Sequence, residues 1–313
     1  MKKTLSFVLA ASLCISMFAA DILNYTHIKG EVKSYTRTDF SIASKFGNYY
    51  RTPSVKVSHI FDPDGREIES SELSPKNVVI NTISSSYDNN GNLTTQVCTS
   101  AEGESIWRTE IKYDNNMKSE ISEYDSKNSL KAKTFFKYDK GNLVDETSYD
   151  GEGDLVWKII YKYTSDNLLE SINQYSADGN LSEKEVYTYD EGAIASIKYY
   201  DNLLVQNAEE IFRYNTDGSL NEITTYDVNK QITKRVVIKY EKQGNPVKVS
   251  EWAVAKKFGT TVNELKEQYE YEYNYSEDLA VQMPELPAVS DEAAPTVEPE
   301  ESTVKAAGDV SEK

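Results

Sequence analysis

One period governs this chain. Tyrosines that close short runs of strand-forming residues recur at Tyr87, Tyr113, Tyr138, Tyr163, Tyr189, Tyr214 and Tyr240, spaced 26, 25, 25, 26, 25 and 26 residues apart. Phe61 extends the series backwards by 26, and Tyr271 continues it after a longer interval of 31. A second aromatic sits near the middle of the units, at Tyr124, Tyr149, Tyr175, Tyr200, Tyr226 and Trp252. Self-similarity at a fixed spacing marks an array of one supersecondary unit and constrains the fold more than any single residue does.

The residues after each aromatic define the unit. Asp88-Asn89-Asn90-Gly91 and Asp217-Gly218 follow the first kind, and Asp150-Gly151 and Asp178-Gly179 follow the second. Asp and Asn bond their own backbone in tight turns, and Gly supplies positive φ. About seven residues rich in Tyr, Ile, Val and Thr separate successive turns, which is strand chemistry at hairpin spacing. In Lys158 to Tyr163, Ile159, Tyr161 and Tyr163 alternate with Lys158, Ile160 and Lys162. Strand side chains alternate between faces, so an aromatic column and a basic column occupy opposite sides of one sheet. Neither side is purely polar. The expected fold is all-β: an extended antiparallel meander of tandem hairpin repeats of about 25 residues, solenoid-like or a curled single sheet, whose units bury surface against neighbours.

The recurring Tyr-Asp-x-x-Gly-x-Leu string, carried best by Tyr87 to Leu93 and Tyr149 to Leu155, resembles the YD repeat of RHS-type proteins. It is also similar to the hairpin repeats of MORN-variant proteins. That resemblance implies β-sheet shells or spirals used in envelope contact or carbohydrate binding, and it brings no catalytic residue.

Four segments follow. Residues 1–20 read as a signal peptide, with Lys2 and Lys3 before an apolar run from Leu5 to Phe18, too short to span a bilayer. Cleavage fits after Ala20 or after Ser16, and Leu13 before Cys14 argues against a lipoprotein. Residues 21–60 hold a capping hairpin, with strands near Val32 to Tyr35 and Val55 to Phe61. Residues 61–275 form the array, interrupted by a helix-compatible stretch around Asn263 to Gln268. Residues 276–313 carry four prolines, no aromatics, ten acids and two lysines, and read as a disordered acidic tail.

Composition then excludes function classes. With 51 acidic against 34 basic residues the net charge is −17, which argues against binding a phosphate backbone. Two His and two Cys are too few for a zinc scaffold or a disulfide framework. Cys98, the cysteine left once the signal is removed, reads as a small apolar strand residue. Asp62 to Gly65 lacks the alternating ligands and distal Glu of a calcium loop. No nucleophile elbow, phosphate loop or dinucleotide fingerprint is present. Glu183 and Glu185 form an acidic pair, expected on a solvated face.

The reading is an exported, non-enzymatic repeat protein that binds or scaffolds in the periplasm or at the cell surface. It has no cofactor, no metal site and no transmembrane helix. Its partner is a protein or carbohydrate of the envelope or host surface, and free edge strands invite self-association. The tyrosines are first structural filler. Tyr113, Tyr138, Tyr163, Tyr189, Tyr214 and Tyr240 are the candidate ligand-contact face. Two other classes stay open. An outer-membrane barrel is opposed by strands of about seven residues and the lack of an apolar lipid face. A carbohydrate-active enzyme would need two carboxylates brought together in a pocket.

Overall fold

A computed structural model describes residues 28–45, 48–257 and 259–275. The signal segment, His27 and the acidic tail lie outside them. Eighteen strands follow one another: β1(Ser34–Lys45), β2(Asn48–Phe61), β3(Glu67–Leu73), β4(Val79–Tyr87), β5(Leu93–Ser100), β6(Ser105–Asp114), β7(Met117–Asp125), β8(Leu130–Asp139), β9(Asn142–Asp150), β10(Leu155–Tyr163), β11(Leu169–Ser176), β12(Leu181–Asp190), β13(Ala193–Tyr200), β14(Gln206–Tyr214), β15(Leu220–Asp227), β16(Ile232–Tyr240), β17(Pro246–Lys257) and β18(Thr260–Asn274). Each pairs antiparallel with the next in sequence, as hairpin chemistry requires.

The array closes. β1 pairs with β18 from Ser34↔Asn274 to Ser41↔Glu267, and on its other side with β2. This corrects the expected solenoid or open curled sheet: the meander is a barrel. The free edges that would invite self-association are paired with each other. Two local expectations also change. The strands mostly run 8 to 10 residues, longer than the seven read between turns. The helix-compatible stretch at Asn263 to Gln268 is β-structure, with Val254↔Asn263 and Ser250↔Gln268 in register. Helix propensity there yields to cross-strand pairing. The residues expected to cap the array supply β1 and β2, two members of the ring.

The ladders are staggered. Beginning at Tyr35, successive partners are His59, Ser70, Ile83, Cys98, Trp107 and Asp125. Six steps lead from the start of β1 to the last residue of β7, from the mouth where β1 begins and β18 ends (the terminal mouth) to the far mouth. That slide is the shear of tilted barrel strands.

The direction of the slide identifies the lumen. At the β4–β5 turn the Asp88 amide donates to the Asn92 carbonyl at 2.9 Å, toward β5. Tyr87, one residue earlier, therefore turns its backbone groups toward β3. For an L-residue viewed from its side-chain side with the chain rising, those groups point right. Viewed from the tyrosine face with the terminal mouth uppermost, strand number thus increases leftwards. On the outside of a right-handedly tilted barrel a leftward ladder climbs. This one descends, so the tyrosine face is the inside. Apolar burial agrees: Ile197 is 2%, Ile238 3% and Val249 3% exposed on that face, whereas fully covered residues of the other face, such as Thr224 (0%) and Ser122 (3%), are polar. Converging inner side chains cover one another.

The turns are built as the sequence implies. Asp88 Oδ1 accepts the amides of Asn90 (2.9 Å) and Asn92 (2.8 Å), and Asp62 Oδ1 those of Asp64 (3.0 Å) and Arg66 (2.9 Å). A side-chain bond from Asn92 holds the Asp88 carboxyl below its ordinary range, and one from Arg66 does the same for Asp62. Folded values below unfolded ones give a stabilisation that is complete above the unfolded pKa of about 4 and is lost as pH falls through and below it. Urea midpoints should therefore drop between about pH 5 and pH 3. Asp88→Asn should flatten that drop, and an unchanged slope would show that these turns do not contribute to it.

Candidate functional site

The lumen begins at a ring. Tyr87, Tyr113, Tyr138, Tyr163, Tyr189, Tyr214 and Tyr240 end the even strands from β4 to β16 at the terminal mouth, all on the inner face. At each, the register shifts, as between Lys162 and Tyr163, which pairs with Leu169. The phenols reach back across the neighbouring strand. The hydroxyls of Tyr113, Tyr163, Tyr189, Tyr214 and Tyr240 donate to the carbonyls of Leu93 (3.0 Å), Leu143 (2.9 Å), Leu169 (2.9 Å), Ile194 (2.9 Å) and Leu220 (2.6 Å). Tyr87 makes the same bond to Glu67 at 2.7 Å. The candidate contact face is thus one ring, with most of its polar tips committed to the wall and its ring surfaces left to the lumen.

Tyr240→Phe removes a bond to a residue that is 2% exposed, so it should cost about 1 kcal/mol in urea unfolding. Tyr214→Phe, at a ring 38% exposed, should cost about half that or less. No measurable cost at Tyr240 would remove the stitching role.

The second aromatics lie on the opposite face and at the far mouth. Tyr124 pairs with Arg108, Tyr175 with Lys158, and Trp252 with Arg235, all among outward-facing residues. The Arg108 guanidinium stacks 4.3 Å from the Tyr124 ring centre. One aromatic ring faces in at one mouth, and the other faces out at the other.

Below the inner ring the lumen becomes acidic. Glu72, Glu123, Glu146, Glu185, Glu210 and Glu251 share the inner face, with Arg37 and Lys234 among its cations. Tyr161 donates to Glu146 at 2.9 Å, Tyr187 to Glu185 at 2.5 Å, and Tyr199 to Glu210 at 3.0 Å. Phenol and carboxylate side by side can accept a cation or bond the hydroxyls of a sugar-like solute. Glu183 and Glu185, the acidic pair expected on a solvated face, point into this lumen, and Glu183 is exposed there.

The outer face is charged in another manner. Glu120 meets Lys112 (3.0 Å) and Lys133 (3.1 Å), Asp145 meets Lys158 (2.8 Å), and Glu222 meets Arg213 (3.0 Å) and Arg235 (2.5 Å). Acids on odd strands sit between bases on even ones, and cross-strand pairs of this kind support the sheet. The outer column of Lys112, Lys137, Lys162, Arg213 and Lys239 was legible in the sequence. The inner carboxylates were not, because they do not recur at one place in every unit.

A cleft of about 680 Å³ opens at the terminal mouth, lined by Ile28, Val32, Tyr35, Phe61, the Asp62–Gly65 turn and Glu67. Tyr35 stacks on His59 with ring centres 4.3 Å apart, and His59 Nδ1 lies 2.9 Å from Glu67 Oε2. The segment before β1 is tied across this mouth. The Lys29 amide donates to Asn245 Oδ1 (2.6 Å), and Asn245 Nδ2 donates to the Lys29 carbonyl (2.9 Å) and the Tyr275 hydroxyl (2.6 Å). Asn245 is 0% exposed. Nothing in the repeat pattern marks it, since its partner lies 216 residues away. Among the described residues no His, Cys, Asp and Glu group is arranged to hold a metal. Cys98 is a buried residue on the inner face of β5.

No protein-family model matches the chain, and no curated protein matches it. Among solved structures it is similar to a porin-like protein from Bacteroides uniformis ATCC 8492, at 11% identity and TM-score 0.46, covering 79% of this chain and 99% of that one. It is also similar to a porin-like protein from Bacteroides vulgatus ATCC 8482, at 14% identity and TM-score 0.36, covering 62% of this chain and 94% of that one. The resemblance to YD and MORN-variant repeat proteins is corrected: no such family model matches, and the strands form one closed ring instead of a shell or spiral. Short turns after tyrosines are common to any efficient hairpin array, so the string did not specify a family. Of the classes weighed from the sequence, a closed barrel matches the outer-membrane β-barrel better than the open scaffold.

Proposed function

We propose that this chain is an outer-membrane β-barrel of the bacterial envelope, a non-enzymatic wall around an aqueous lumen that admits small cations and polyhydroxylated solutes. The observation that carries this reading is closure: all eighteen strands are paired on both sides, and β1 meets β18. A closed antiparallel ring is the sheet form with no unsatisfied edge, as crossing a bilayer requires. Walls of sixteen to eighteen strands leave a channel. Many strands also reach the 9 to 11 residues such walls use, which removes one objection raised by the sequence. The acidic inner rows favour cations, and the tyrosine ring offers flat surfaces to sugar rings.

A second reading, a water-soluble barrel that holds its solute, is favoured by the outer face. Its ion-paired rows at Glu120, Asp145 and Glu222 are not a lipid-facing band, and its ring of outward aromatics, Tyr124, Tyr175 and Trp252 among them, stands at one mouth. One experiment separates the two. The purified chain is added to planar lipid bilayers, and its membrane fraction is extracted with and without detergent. Cation-preferring conductance steps with detergent-dependent extraction support the pore. A monomer stable in plain buffer that gives no steps overturns the pore and leaves the soluble container.

A further inference from the structure

The far mouth is divided into two arcs. Going round the ring, the turns β13–β14, β15–β16, β17–β18, β1–β2 and β3–β4 are consecutive, because β18 pairs with β1. This arc holds exposed apolar residues: Leu203 (77%), Leu204 (57%) and Val205 (56%) in one turn, Val228 (58%) in the next, and Val78 (62%) at its end. Lys45, Lys76 and Lys256 stand exposed between them. Its two turn carboxylates are occupied by backbone: Asp201 Oδ1 accepts the amides of Leu203 and Val205 at 2.9 Å each, and Asp227 Oδ1 those of Asn229 (2.9 Å) and Gln231 (2.8 Å). The other arc, β5–β6 to β11–β12, is glycine-rich and predominantly acidic, with Glu102, Glu104, Glu152, Asp154 and Asp178 against the exposed Lys127 and Lys131, and Ile106 is its one strongly exposed aliphatic among the described residues.

Leu204 adds an independent observation. It adopts φ 61° at a turn position that the other far-mouth turns give to glycine (Gly103, Gly153, Gly179) or to polar residues (Asn77, Asn128, Lys230), and it is the one apolar side chain there among the described residues. A branched side chain in the left-handed region is disfavoured, and glycine is the default there. A large apolar side chain is therefore held in a strained conformation while its tip faces solvent. Strain of that kind, in a turn that would be more stable with Gly, marks a position kept for contact.

We propose that this arc of the far mouth seats on an anionic lipid surface, with the Leu203–Val205 turn entering the acyl boundary and the flanking lysines meeting headgroups. Apolar tips alternating with lysines on one rim match the chemistry of an anionic bilayer face. The acidic arc opposite would be repelled, which orients the barrel. This inference rests on the second reading, the water-soluble barrel, because a wall that crossed the bilayer would hold both mouths in water.

The test is co-sedimentation of the purified full chain with phosphatidylcholine vesicles, with and without phosphatidylglycerol. The chain is expected to bind the mixed vesicles at least about tenfold more tightly than the neutral ones. The triple variant Leu203→Ser, Leu204→Gly, Val205→Ser should bind at least about tenfold more weakly, with a thermal midpoint no lower than that of the parent, because glycine relieves the strained turn. Glu102→Gln with Glu152→Gln should leave binding unchanged or stronger. Triple-variant binding at the parent level, or no preference for the anionic lipid, overturns the proposal. A triple variant that stays with vesicles through an alkaline wash overturns it while supporting a wall that spans the bilayer.

Discussion

Replacing Phe212 by Ala is expected to lower the unfolding free energy by about 3–4 kcal/mol, against about 1 kcal/mol or less for Phe135→Ala. Both rings sit inside even-numbered strands that run toward the terminal mouth, β14 and β8, but they face opposite sides of the wall. Phe212, 6% exposed on the inner face, packs in the cluster formed by Ile197, Leu220, Ile223, Ile238 and Val249. Truncation there loses the transfer term and leaves a space that the paired strands cannot close. Phe135 is 37% exposed and touches Tyr149 edge-on at 6.0 Å between ring centres, a contact open to solvent. Urea unfolding of the two variants reads the difference directly. Equal losses would mean that the tyrosine face is not the covered one, and the lumen assignment would fall with it.

A chain that begins at Asn48, and so lacks β1, should lose the monomeric barrel. β1 is the one strand that joins the two ends of the meander. It pairs with β2 from Ser34↔Ile60 to Lys45↔Asn48 and with β18 over eight registered residues. It also carries Tyr35, 6% exposed, which packs against His59, Phe61, Tyr271 and Tyr273. Its removal bares the long edges of β2 and β18, which then template intermolecular pairing. Light scattering after size exclusion should show oligomers, with the sharp thermal transition lost. A monomer with the parent transition would show that the remaining seventeen strands hold their curvature without closure.

Much of the hairpin architecture was legible from residue identity. The 25-residue interval between Tyr138 and Tyr163, with Gly141 and Gly153 between them, required two turns per unit. Alternation along Lys158 to Tyr163 separated the aromatic side from the basic one before any partner was known. These signals are local: a turn is decided by four or five residues, and a face by the pleat. The same locality explains the failures. The stretch around Asn263 looks helix-compatible, an interruption of the array, because its partners, Val254 and Ser250 among them, are invisible to a window of neighbours. Glu146 and Glu185 look like ordinary surface acids until the inside of the wall is identified.

What the sequence determined by itself was the repeating unit: two strands, two turns, and a tyrosine at the same place in each. What the tertiary structure decided was that eighteen such strands return to their starting point, and which of the two faces they enclose. Closure depends on Ser34 meeting Asn274 across the whole length of the array, and the enclosed face depends on the handed tilt accumulated over every ladder. Both are sums over the ring, and no single repeat contains either.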